Sequence, residues 1–269
     1  LSPELLQLTP DRYRGAELLP QGGVLIVGAS ASGVQLALEI QRSGRPVTLA
    51  AGRHVRAPRQ YRGKDIFAWL AACGFLYEAP DQPAARLRAQ PSLQLSGRDG
   101  SIGFCRLASS GVRVVGRALG GEGGRIALAD DLQAQCAASE GRRRKLLARI
   151  DAHIDKNRLT APEDAEAWAR PAPLPDAPAE LDLAREGIKT VIWASGFRRG
   201  YPWLDLPVIG SDGELMQQGG VCAAPGLYAL GLPFMRHRAS SFIHGAAKDA
   251  RAIAARIAFE LRARAPEAA

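Results

Sequence analysis

Residues 24–27 form a short unbroken apolar run, the pattern of a strand buried on both faces of a parallel sheet. From Ser32 the apolar spacing becomes helical: Val34, Leu36, Ala37, Leu38 and Ile40 can share one side, and Ser43 and Gly44 close the run. Residues 46–50 read as a second strand. Residues 66–72 predict a short helix with Trp69 on its apolar side, 82–91 a polar loop, 92–96 a strand, and 100–110 a turn and short helix. Residues 112–119 alternate as one strand, which the glycines of 120–124 turn into 125–128 as a hairpin. Residues 130–156 keep helical spacing through Leu132, Cys136, Leu147, Ile150 and Ile154. Five prolines between 161 and 178 mark a linker or an irregular wrap. Further on, 190–194 and 227–230 read as strands. Residues 245–261 predict an amphipathic helix, with Ala246, Ala250, Ile253, Ala254, Ile257 and Leu261 inward. Strands alternating with helices place the chain in the α/β class.

The first strand and helix are joined by Gly28-Ala29-Ser30-Ala31-Ser32-Gly33. A strand, a glycine turn and a helix start form a pyrophosphate site, because free backbone N–H groups and the helix dipole point at the anion. The dinucleotide fingerprint has a glycine where this chain has Ser30, whose hydroxyl can bond a phosphate oxygen instead. Small residues at such a turn also serve packing alone, so the flanking strand and helix carry the reading. After the second strand a site for NAD would carry Asp or Glu to hold a ribose hydroxyl. No acid occurs between Glu39 and Asp65, and Arg53, His54 and Arg56 stand there instead. Guanidinium groups pair with phosphate in a fork. The expected cofactor is therefore NADPH, its 2′-phosphate on Arg53 with His54 or Arg56.

Composition narrows this only a little. With 269 residues, 46% hydrophobic and 23% charged, the chain is expected to be globular and soluble. No apolar run approaches the ~18 residues of a membrane span, and no leader is visible, so a cytoplasmic setting without membrane partners is expected. The net charge of +8 is not interleaved with aromatics, which make up 6%, so nucleic acid is not expected. Arg142-Arg143-Arg144-Lys145 reads as the solvated face of a helix. The four cysteines, Cys73, Cys105, Cys136 and Cys222, lack Cys-x-x-Cys spacing and read as free thiols, with no metal site.

Three stretches, taken together, resemble the flavin-dependent monooxygenases with two dinucleotide-binding domains, in their bacterial flavoprotein branch. The first is 28–33 with Gln35, the arginine-rich stretch and Tyr61-Arg62-Gly63-Lys64-Asp65-Ile66-Phe67. The second is Val191-Ile192-Trp193-Ala194-Ser195-Gly196-Phe197, similar to that family's passage between domains. The third is Pro225-Gly226-Leu227-Tyr228 through Gly231-Leu232-Pro233, then Arg238, Ser240, Ser241, Phe242, Gly245 and Asp249.

The resemblance is to the C-terminal two-thirds of such proteins. It implies a connecting segment at 1–23, a Rossmann-like NADPH-binding domain at 24–161, a proline-rich linker at 162–180, and the C-terminal part of an FAD-binding Rossmann-like domain at 181–269. It further implies cofactor contacts at Gly28, Ala29, Ser30, Ala31, Ser32 and Gly33, at Ala194, Ser195 and Gly196, at Gly231 and Leu232, and at Ser240 and Ser241. The implied function is hydride transfer from NADPH to flavin, then oxygen activation and oxygenation of a small-molecule substrate, with room for a homodimer. The FAD fingerprint expected upstream is absent from these residues, so FAD is expected only if that segment is present. A flavoprotein NADPH reductase and a non-catalytic NADP(H)-binding module stay open as alternatives. No catalytic side chain is expected, because the cofactor carries the hard chemistry.

Overall fold

The computed structural model describes residues 1, 3–79, 93, 94 and 101–264. The chain divides into two compact units, Leu1–Trp69 with Pro91–Gly196, and Leu70–Gln90 with Phe197–Ala269.

The first unit is built on a parallel sheet of β1 (Leu6–Leu8), β2 (Gly23–Val27), β3 (Val47–Ala50), β8 (Arg113–Val115) and β12 (Ile188–Trp193), in the order β1-β12-β2-β3-β8. Its centre is set by register: Ile26 lies opposite Ile192 on one side and Leu49 on the other. Because side chains alternate across a strand, Val24 and Ile26 face one layer and Leu25 the other. The first layer is α1 (Ala31–Arg42) and α3 (Phe104–Ser109), where Val34, Ala37, Ile40 and Leu107 are buried. The second is an antiparallel sheet of β9 (Ala118–Glu122), β10 (Arg125–Leu128) and β11 (Glu180–Asp182), which brings Ile126, Leu128 and Leu181 onto Leu25 and Val191. Leu25, Ile26 and Leu49 are each fully buried, worth about 1.5–3 kcal/mol apiece.

The expected first strand, first helix, second strand and the helix α2 (Ile66–Ala72) form where the pattern set them. The short helix within 100–110 is α3. The long helix is α4 (Leu132–Lys156). Of the expected strand at 92–96, the described part is β7 (Leu93–Gln94), which pairs in parallel with β4 (Val55–Arg56). The loop at 82–91 lies outside the described residues.

Residues 112–119 are not one strand. β8 ends at Val115, and β9 begins at Ala118 in a different sheet. A side chain on Gly116 would sit 2.0 Å from the Ala129 carbonyl oxygen, so the backbone passes there at glycine distance and changes sheets. The hairpin turn itself is only Gly123 and Gly124, both at positive φ, as a tight primed turn requires. Gly120 and Gly121 lie inside β9.

The Tyr61-to-Phe67 stretch is a brace. β5 (Gln60–Tyr61) and β6 (Lys64–Asp65) pair around Arg62 and Gly63, both at positive φ. The buried Tyr61 hydroxyl donates to Asp151 of α4 at 2.7 Å and accepts from Trp168 Nε1 at 3.0 Å. Burial and the neighbouring Asp151 push the Tyr61 phenol up to about 12. Trp69 Nε1 donates to the Tyr61 carbonyl at 2.7 Å.

The second unit holds α5 (Ile243–Arg264), a pair of two-residue strands, β13 (Gln217–Gln218) and β14 (Val221–Cys222), and short turns. The expected strand at 227–230 does not form. Tyr228 makes a lone bridge to Val221, and this unit's described residues contain no larger sheet for the apolar run to join. α5 buries Gly245, Asp249 and Ile253, whereas Ala254 and Leu261, expected inward, are exposed.

Candidate functional site: a glycine turn at the sheet's carboxyl edge

The parallel strands of the first unit all end at one edge, where open α/β sheets bind ligands. β2 delivers Gly28 there, and β12 delivers Ala194, Ser195 and Gly196. Gly28 has φ 112°, and a Cβ on it would lie 2.4 Å from the Ala194 carbonyl oxygen. A Cβ on Gly33 would lie 1.9 Å from the Gly28 carbonyl oxygen. Neither position accepts a side chain, so the start of α1 is drawn down onto the strand ends. Ala29 is buried beneath the turn, and Gln94 Nε2 donates to its carbonyl.

Ser30 is the N-cap of α1, yet its hydroxyl makes no cap bond. The first-turn N–H groups, those of Ala31, Ser32 and Gly33, therefore lack the partner an N-cap side chain would supply. They carry the positive end of the helix dipole, worth about 0.3–1 kcal/mol to an anion at an exposed site. Ser195 and Gly196 are exposed beside the turn, with Gly196 at φ 99°.

β3 runs parallel to β2 and ends one strand over. Arg53 follows it and is exposed. His54 points the other way: it is buried at 2% exposure, its Nδ1 lies 3.0 Å from the Gly52 carbonyl oxygen, and its ring packs on Phe104. Burial holds His54 below its ordinary 6.5, so the ring is neutral near pH 7 and carries no charge toward a phosphate. Arg56 donates its backbone N–H to Ser139 Oγ, and its guanidinium lies 3.7 Å from Glu140. Of the three basic residues expected at a phosphate, Arg53 is the one at the edge with an exposed charge.

Two features at this edge were not read from the sequence. Arg117, after β8, packs its stem over Gly52 and pairs with Asp131 at 3.3 Å. Arg142, from α4, donates Nη2 to the His54 carbonyl at 2.8 Å. The run Arg142-Arg143-Arg144 is thus not a uniform solvated face. Arg143, 2% exposed, pairs with Glu140 at 2.5 Å and also donates to the Ala167 carbonyl, while Arg144 pairs with Glu140 at 2.9 Å. The signal was available: Arg143, Leu147, Ile150 and Ile154 share the buried face of α4. Beside this edge a cavity of about 540 Å³ is lined by His54, Gln94, Phe104, Cys136, Glu140 and Leu174, among others. The cysteines are free, and burial pushes the Cys136 thiol up to about 11.

The remaining expected contacts lie in the second unit. Gly231 is exposed at φ 82°, and Leu232 donates its N–H to Met235 Sδ. Ser240 is fully buried, and its hydroxyl accepts from the backbone N–H of Arg236 and His237 at 3.1 Å each. It closes the single turn Arg238–Ser241 rather than facing a ligand. Ser241 is exposed. A Cβ on Gly245 would meet the Ala239 carbonyl oxygen at 1.9 Å, which seats the first turn of α5 on that same turn.

The fold is similar to that of a flavin monooxygenase: the chain superposes on a double mutant of the Stenotrophomonas maltophilia flavin monooxygenase with a TM-score of 0.51 at 15% identity, over 94% of this chain and 55% of that one. In sequence it is similar to the "uncharacterized oxidoreductase CzcO-like" protein of Geobacillus kaustophilus, 26% identical over 253 residues, and to the "uncharacterized oxidoreductase CzcO" of Bacillus subtilis, 23% identical over 251. These matches cover 93% of this chain and 56% and 57% of the relatives, so the chain spans a little over half the length of the curated proteins it matches. No family model matches it. The resemblance drawn from three short stretches is borne out as a similarity: the chain is similar to these oxidoreductases in sequence and to a flavin monooxygenase in fold. No described helix is long and apolar enough to cross a membrane.

Proposed function

We propose that the protein is an NADPH-dependent flavoprotein oxidoreductase of the monooxygenase type, and that the first unit holds its NADPH. The observation that carries this reading is the turn from Gly28 to Gly33, closed to any side chain at both ends and followed by an uncapped helix. The residues present fit a dinucleotide. Gly28 lets the backbone approach a pyrophosphate, the N–H groups of Ala31 to Gly33 and the Ser30 hydroxyl bind it, and Arg53 holds the 2′-phosphate. Ser195 and Gly196 bound the ligand from the β12 side. When bound, NADPH supplies hydride and flavin supplies the oxygen chemistry.

The fit for flavin in this chain is partial. Ser240 is consumed by its own backbone, and among the described residues the second unit holds no strand, glycine turn and helix in series. No step is therefore assigned to a side chain of that unit. These relatives' names support oxidoreductase activity, and the flavin monooxygenase neighbour supports oxygenation of a small-molecule substrate. The test is anaerobic addition of NADPH to the flavin-loaded protein. Bleaching of the flavin band near ~450 nm is expected, because the redox chemistry belongs to the cofactor. A protein that binds NADPH but takes up no flavin would leave an NADP(H)-binding module. One that binds neither would remove the proposal.

A further inference from the structure

We propose that Arg142, reaching in from α4, is a second reader of the 2′-phosphate and works with Arg53 to set the preference for NADPH over NADH. This rests on the NADPH reading above. Arg142 stands 89 residues from Arg53 in the chain, and nothing in the glycine fingerprint points to it.

Its placement is specific. Nη2 donates to the carbonyl of His54, the residue directly after Arg53. That bond ties the two cationic side chains to one stretch of backbone. Nε of Arg142 is buried and has no hydrogen-bond partner among the described residues. A guanidinium offers five donors, and the His54 carbonyl takes one of them.

The local charge balance points to an anion. Burial, and then the neighbouring charge of Arg53, holds Arg142 below the ordinary arginine range. Two like charges held together are unfavourable without a counter-ion. Among the described residues none is supplied. Glu140 is taken by Arg56, Arg143 and Arg144, and Asp131 by Arg117 and Gln135. Among the described residues neither Arg53 nor Arg142 has a carboxylate partner. A phosphate monoester is the ligand group that answers this, since it offers three acceptor oxygens and close to two negative charges near pH 7. An adenosine ribose without a 2′-phosphate offers no such charge.

The experiment is equilibrium titration of the purified chain with NADP⁺, NAD⁺, 2′,5′-ADP and 5′-AMP, for the wild type and three variants. Arg142→Gln should weaken NADP⁺ and 2′,5′-ADP by about tenfold or more, the scale of a lost charge-assisted hydrogen bond, and leave NAD⁺ and 5′-AMP unchanged. Arg142→Lys, which keeps the charge but not the fork, should recover part of the loss. Lys145→Ala, exposed on the same helix, should change nothing. Equal weakening of all four ligands would mean that Arg142 only props the His54 carbonyl, and would overturn the proposal. So would an Arg142→Gln protein with wild-type NADP⁺ affinity. If Arg142→Gln fails to fold, Arg142→Lys decides alone, by whether its loss is confined to the 2′-phosphorylated ligands. A wild type that does not prefer NADP⁺ to NAD⁺ overturns the NADPH reading itself, and is seen before any substitution is made.

Discussion

The two units of this chain use their apolar residues differently. In the first, strand alternation sends Val24 and Ile26 to one layer and Leu25 to the other, and all three are at most 1% exposed. In the second, Ile243 is 97% exposed, Trp203 73%, Phe197 70% and Phe259 65%. The first unit owns a sheet that takes apolar runs on both faces, whereas the described residues of the second offer a pair of two-residue strands and one long helix. An apolar residue is stabilising only where a layer exists to cover it. The Gly28-to-Gly33 turn belongs to the unit whose sheet is covered on both faces.

The largest expected effect probes the buried charge in that unit. Glu140→Ala leaves Arg143, 2% exposed, without its carboxylate. Breaking such a pair from one side costs about 3–5 kcal/mol, measurable by urea unfolding with and without the substitution. Next, Ile26→Ala should cost about 2–5 kcal/mol, because β2 is packed on both faces. Ile243→Ser, at the start of α5, should stay within about 0.5 kcal/mol of wild type. If the two isoleucines cost the same, the contrast between the units is wrong.

Gly33→Ala sharpens the comparison at the site. Its methyl would meet the Gly28 carbonyl oxygen at 1.9 Å, so α1 must lift from β2 at a cost of about 1–3 kcal/mol. NADP⁺ binding should fall with it, and a titration checks this. Gly44→Ala, with open space at Cβ but φ 84°, should cost stability through backbone strain and leave NADP⁺ affinity intact.

The smallest effect is a pH dependence. Hydrogen bonding from Arg143, against some burial, holds Glu140 below its ordinary 4.5. A folded-state value below the unfolded one gives stability that is complete above about pH 4.5 and is lost as pH falls through the folded value. The stability gap between wild type and Glu140→Gln should be flat from about pH 5 to 8 and narrow in acid. A gap that widened in acid would contradict the pairing.

Much of the first unit was legible in the sequence because its strands and helices each carry one period. The turn from Gly28 to Gly33 was legible because two glycines stand where a Cβ would clash with the strand ends, at a strand-to-helix junction. What escaped was non-local. Whether His54 faces a phosphate or Phe104 depends on α3, about 50 residues on. Arg142 reaches its place only because α4 buries Arg143, Leu147 and Ile150, and that fixes the direction of its neighbours. The strand at 112–119 failed because one glycine, Gly116, passes the chain between two sheets. The strand at 227–230 failed for the reverse reason: an apolar run becomes a strand only beside a long enough edge, and here the edge is the two-residue β14, to which Tyr228 makes a single bridge.

The Gly28-to-Gly33 turn and Arg53 are proposed as a site for a 2′-phosphorylated dinucleotide. The most direct measurement is the ratio of NADP⁺ to NAD⁺ affinity for the wild-type chain and for Arg53→Ala. NADP⁺ should bind at least about tenfold more tightly, and Arg53→Ala should remove most of that margin while sparing NAD⁺. Equal affinities in the wild type, or a margin untouched by Arg53→Ala, would contradict it.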